Sequence, residues 1–279
     1  MSIRARSYHA PVAGYVGRCR VQAVFGRSAH LCTATGDVVT LSTMAYDGPL
    51  SIAIEPPLPV LRPGSEASIW IRERARYQSD AGLDIELTEA RCWDVQVKAL
   101  NWTRASLRTA VEVMDPYCAG SAFHENGQQG DLLRRSRDGL LRTLSKETSV
   151  DRHIERLVGL GPGLTPSGDD WLTGFTAGYV HLVGLAGATG PLPRLLPSLG
   201  RALRRRPRRT TAFSQGLLVQ ALRGVVCMPL LTLIRALDCS PSELEAAAGT
   251  ASRLGHSSGA DMLLGLTDVV RLLSWSAGQ

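Results

Sequence analysis

None of the six cysteines (19, 32, 92, 118, 227, 239) forms a CxxC pair or stands at a metal-ligand spacing, so zinc-cluster and disulfide-scaffold classes are excluded. The P-loop lysine motif and a complete GxGxxG strand–helix fingerprint are both missing, which disfavours the common nucleotide folds. The first residues, MSIRARSYHAPVAG, hold no apolar run, and no secretory leader is read there. Reduced thiols in a cytoplasmic protein are therefore expected. Aromatic residues are scarce, at 5%, but 44% of the 279 residues are hydrophobic and 20% charged, an ordinary globular balance. Charge vanishes over one long stretch only, from Trp171 to Pro193, which could on paper span a bilayer. Five glycines break that stretch and two aspartates precede it, so a buried helix packed closely at Gly174 and Gly178 is expected, with no membrane contact.

What is present divides the chain by period. Between about residues 15 and 115, short apolar runs such as CRVQAVFG, AHLCTATG, VVTLSTMA, LSIAIEP, SIWIRERARYQ and LDIELTEARCW alternate with Gly, Asp and Pro. Their alternation predicts a half-buried antiparallel sheet or small barrel. Residues 118–131 (CAGSAFHENGQQGD), small and polar, read as a linker or crossover. Beyond them the apolar spacing becomes helical, in LLRRSRDGLLRTL, VDRHIERLVGL, PLLTLIRAL and ADMLLGLTDVVRLLSW. The fold class expected is α+β, with a β-rich domain over 1–117 and a helical domain over 118–279 carrying glycine-rich loops at helix N-termini. A net charge of +6, mostly an arginine excess, suits a small anionic ligand.

Chemistry concentrates in three loops of the helical half. The first, residues 159–170 (GLGPGLTPSGDD), sets glycines 161 and 163, Thr165, Ser167, Gly168 and two adjacent aspartates before an apolar helix. A glycine-rich approach to a helix start offers N–H groups to a phosphate or carboxylate. Ser167 with Asp170 reads as a capping box, which leaves Asp169 the freer carboxylate. The pattern S-G-x-D-(apolar)-L-x-G recurs at Ser258-Gly259-Ala260-Asp261, preceded by Gly255-His256-Ser257. Two capped helices packed together account for the repeat without any chemistry. They do not account for the glycine-rich loops before it. GHSSG also fits a nucleophile elbow, but helical sequence precedes it and no histidine follows Ser257, so the hydrolase reading fails. The third loop holds Arg208, Arg209, Thr210, Thr211 and Ser214 at another helix start, where guanidinium and hydroxyl groups suit an anion. The run RRRPRR lacks the aromatic interleaving of a nucleic-acid surface, and no nucleic-acid partner is expected.

In that order, GLGPGLTPSGDDWLTG, RRTTAFSQGLL and LGHSSGADMLLGL resemble the signature blocks of the AllH-type family, which includes a subunit of oxamate carbamoyltransferase. The resemblance implies a role in anaerobic purine (allantoin) catabolism. Partners would be an FdrA-like subunit and a second one, the complex interconverting oxamate and carbamoyl phosphate with oxalurate and phosphate. On this chain the glycine-rich N–H groups would hold phosphate and Arg208 or Arg209 the carboxylate. Asp169 or His256 would deprotonate or orient the attacking nitrogen. Two further classes stay open: an ATP-dependent ligase or kinase with Mg²⁺ on Asp169 and Asp170, and a non-catalytic structural or regulatory subunit.

Overall fold

A computed structural model describes residues 2–44, 48–72, 82–95, 100–144, 150–183, 195–205 and 209–275. The chain divides into two compact units, Met1–Val95 and Gln96–Gln279.

The first unit is a seven-stranded barrel with one added strand. Its strands are β1 (Ser2–His9), β2 (Val16–Val24), β3 (Ser28–Thr33), β4 (Val38–Ser42), β5 (Ser51–Ile54), β6 (Glu66–Arg72), β7 (Gly82–Glu86) and β8 (Arg91–Trp93). The order β5-β4-β3-β2-β6-β7-β1 closes on itself where β1 pairs with β5. Strand β1 is the seam: Ser2–Arg4 lie on β7, and Ser7–His9 lie on β8 further along the same edge. Side chains alternate as the barrel requires. On β2, Cys19 and Val21 point into the core while Arg18 and Arg20 stay in solvent. Ile3, Leu31, Leu41, Ile52, Ile54, Ile69, Ile71 and Ile85 complete the interior.

The expected antiparallel sheet is corrected to a mixed one. Four pairings are antiparallel (β1–β5, β2–β3, β2–β6, β3–β4). The other four (β1–β7, β1–β8, β4–β5, β6–β7) are parallel. Alternation reports a buried face, which every barrel strand has whichever way its neighbour runs. The β-rich reading also extends too far along the chain. Residues Arg104–Met114 form a helix, α1, opened by a reciprocal Thr103–Ser106 capping box.

Among the described residues the second unit contains eight further helices: α2 (Gln128–Leu144), α3 (Asp151–Leu157), α4 (Ser167–Val183), α5 (Leu195–Arg205), α6 (Ala212–Ala221), α7 (Met228–Ala236), α8 (Pro241–Ser252) and α9 (Ser258–Trp275). Helix α4 is buried from Ser167 to Leu182, and from Trp171 onward its uncharged sequence suits that burial. Helix α9 is buried almost as fully. No described helix is long and apolar enough to cross a membrane. The segment read as a linker is a folded part of this unit. It starts at the end of one short 3₁₀ segment, Asp115–Cys118, contains a second, Ala122–His124, runs into α2, and buries Phe123 completely.

Candidate functional site

Helices α4 and α9 run in the same direction and touch backbone to backbone. A Cβ at Gly174 would run into the carbonyl of Met262, and one at Gly265 into the carbonyl of Trp171. Further along, Gly178 lies under Leu266 and Val269. Gly174 and Gly265 sit at equivalent positions of the repeated motif, so the repeat forms a close helix crossing. One buried network beneath it fixes the pair: Asp268 accepts from Trp171 Nε1 at 2.9 Å and from Arg137 Nε and Nη2 at 2.5 and 2.6 Å. The first turns of both helices, and the loops before them, therefore meet at one end of the crossing.

Asp169 is fully engaged there. Its Oδ1 accepts from the Gly159 N–H at 2.8 Å, and its Oδ2 accepts from the hydroxyls of Ser214, at 2.7 Å, and Thr210. Burial raises its pKa, opposed by Thr210, the Gly159 N–H, Ser214 and the charge of Arg209. A side chain at Gly159 would collide with the Arg209 carbonyl, so this close approach needs a glycine. Thr211 caps α6 by accepting from the Ser214 N–H at 3.0 Å, and its own hydroxyl donates to the Leu164 carbonyl at 2.6 Å. One carboxylate and one threonine thus tie the first and third loops together.

Asp170 and Asp261 form the second feature. They are 3% and 0% exposed, and the Oδ2 of each is buried with no hydrogen-bond partner. Burial pushes Asp170 well above the ordinary 3.8, and the like charge of Asp261 pushes it further; the hydroxyls of Ser258 and Thr165 pull the other way. Burial likewise raises Asp261, against the hydroxyls of Ser121, Ser167 and Ser257 and the Ala122 N–H. Each aspartate therefore faces the serine that opens the other helix. The capping box read within each helix is replaced by an exchange between the two. Asp261 Oδ1 accepts from Ser121 Oγ at 2.6 Å and from the Ala122 N–H at 2.9 Å, fastening the 3₁₀ turn at Ala122–His124. Sequence reasoning missed Ser121 and Ala122; a lone Phe123 in a polar stretch was the available signal. Thr165 and Ser258, 3.0 Å apart, close over the cluster with a hydrogen bond to each other.

The anion cradle expected at the helix starts meets a different arrangement. The N–H groups of Gly168, Asp169 and Asp170 donate to the carbonyls of Leu160 and Pro166 at 2.8–3.0 Å. Those of Gly259 and Asp261 donate to Leu254 and Ser257, both at 2.8 Å. None of the five is open to a ligand unless a bond within the chain breaks. Gly161, at φ +122°, turns the loop so that Ser167 can approach it, and Gly163 lies exposed. His256 and Arg209 are exposed, Ser257 is half-buried, and Arg208 lies outside the described residues. Among the described residues, no group of three or more His, Cys, Asp or Glu is placed to hold a metal ion.

A family model described as oxamate carbamoyltransferase subunit AllH matches residues 157–270. The matched stretch contains all three loops, helix α4 and helix α9 as far as Val270. No solved structure matches the chain.

Proposed function

We propose that this chain is a subunit of a carbamoyl-transferring enzyme that acts on oxamate and carbamoyl phosphate, and that it meets substrate where α4 and α9 begin. One coincidence carries the reading. The stretch that matches the family is the stretch whose loops converge on three buried aspartates, two of them with an unpartnered oxygen. Buried, incompletely satisfied carboxyls at a loop junction are where perturbed proton affinity and ligand recognition concentrate.

In the forward transfer the amide nitrogen of oxamate attacks the carbamoyl carbon. The C–N bond forms, the bond to phosphate oxygen breaks, and the nitrogen gives up a proton. His256, exposed in the loop before α9, is assigned to take that proton. Arg209, exposed beside Asp169, is assigned to the anionic end of a substrate, where a guanidinium can bind through two parallel hydrogen bonds. Asp169 is a positioning residue, because both its oxygens are occupied in holding Gly159, Thr210 and Ser214. The family description names a subunit, which supports the presence of partner subunits; an FdrA-like one is proposed among them.

Thermal unfolding of the purified chain with carbamoyl phosphate, oxamate or Mg–ATP tests this. A ligand at a hundredfold excess over its Kd adds about 2.7 kcal/mol of stability. Stabilisation by oxamate or carbamoyl phosphate is expected. A response to Mg–ATP alone would move the reading to a ligase or kinase, and no response to a non-catalytic subunit. In the reconstituted complex, His256→Ala should remove turnover at unchanged melting temperature.

A further inference from the structure

We infer that the unpartnered Oδ2 atoms of Asp170 and Asp261 receive the primary amide group, –CO–NH₂, of the substrate. The inference rests on the reading that this site takes an oxamate-like molecule.

Two equivalent, sealed carboxyl oxygens without a partner are an unusual thing for a fold to keep. A structural role does not need them bare: Asp169, one residue from Asp170, has both oxygens filled. Their cover is thin: Thr165 and Ser258, which bond to each other at 3.0 Å and also turn their hydroxyls to Asp170, are both only half-buried, and the loop behind Thr165 passes through exposed Pro162 and Gly163. Two aspartates side by side repel an incoming carboxylate or phosphate. Two helix N-termini oppose an incoming cation. A neutral group with one donor edge and one acceptor edge suits both. The donors on Asp261 Oδ1, Ser121 Oγ and the Ala122 N–H, favour its charged form, and its Oδ2 is assigned to accept an N–H. Burial, with the like charge of Asp261, raises the proton affinity of Asp170, and its Oδ2 is assigned to donate to the carbonyl. Cys227, the buried thiol beside Asp170, is pushed up to about 11 and adds no charge.

The test is calorimetric titration of the full chain with oxamate, with oxalate and with N,N-dimethyloxamate, which lacks the N–H. Oxamate should bind at least tenfold more tightly than either analogue. Asp261→Asn should erase that preference, because its amide would present an N–H to an N–H. Asp170→Asn should retain it, because its amide donates where the protonated acid did. Equal binding of the three ligands to the wild-type chain, or a preference that survives Asp261→Asn, overturns the inference and leaves the functional reading intact. Absence of binding by both oxamate and carbamoyl phosphate overturns that reading and the inference with it. If Asp261→Asn does not fold, the wild-type comparison with the dimethyl analogue decides alone.

Discussion

Asp169 and Asp170 are neighbours in the chain with opposite fates. Read as sequence, Asp170 is a cap and Asp169 is free; in the structure Asp169 is saturated and Asp170 keeps a bare oxygen. The reversal has a plain cause. The donors on Asp169 come from Gly159, Thr210 and Ser214, up to 45 residues away, and no local pattern reports them. Asp169→Asn turns one acceptor of that cluster into a donor, leaving a buried partner unsatisfied. It should cost about 1–3 kcal/mol, read as a lower midpoint in urea unfolding. Asp170→Asn should behave differently. A carboxyl whose pKa is raised by folding stabilises the native state most below its unfolded value of 3.8, and that contribution fades as pH climbs through the folded value. The variant has no proton to lose. Its stability relative to the wild-type chain should therefore rise with pH above 3.8, and parallel denaturation curves at several pH values would show a flat difference if the argument is wrong.

Among the elements, the α4–α9 crossing was the most legible. Its uncharged sequence, its small residues at Gly174 and Gly178, and the repeated motif all pointed to a buried helix packed closely. What could not be read was which surface fills the groove, since any backbone of the right shape satisfies a glycine. The structure supplies the partner: each helix receives the other's carbonyl, at Met262 and Trp171. Gly174→Ala and Gly265→Ala must push the helices apart and should each cost roughly 3 kcal/mol through overpacking. Gly216→Ala, in α6 with nothing near the added methyl, should instead gain about 0.5–1 kcal/mol. Thermal melts of the three variants side by side separate a packing glycine from an idle one. In the barrel, β1 went unread as a strand. Its inward positions include Ala5, Ser7 and His9, which lack the β-branched signature, yet it closes the sheet by pairing with β5, β7 and β8.

For the whole molecule, residues 96–279 contain the matched stretch, the three loops and a core of their own. A chain cut back to those residues should unfold cooperatively and keep its stabilisation by oxamate; loss of that response with the fold intact would assign part of the site to the first unit. The amino-acid sequence by itself determined the change from a two-residue to a helical period, the place of the three loops and the buried helix, because each depends on near neighbours along the chain. The closing of the barrel, its mixed strand directions and the pairing of each aspartate with the serine of the other helix depend on partners tens of residues away. Only tertiary packing chooses among such partners, so only the structure could show which carboxyl is held and which is left open.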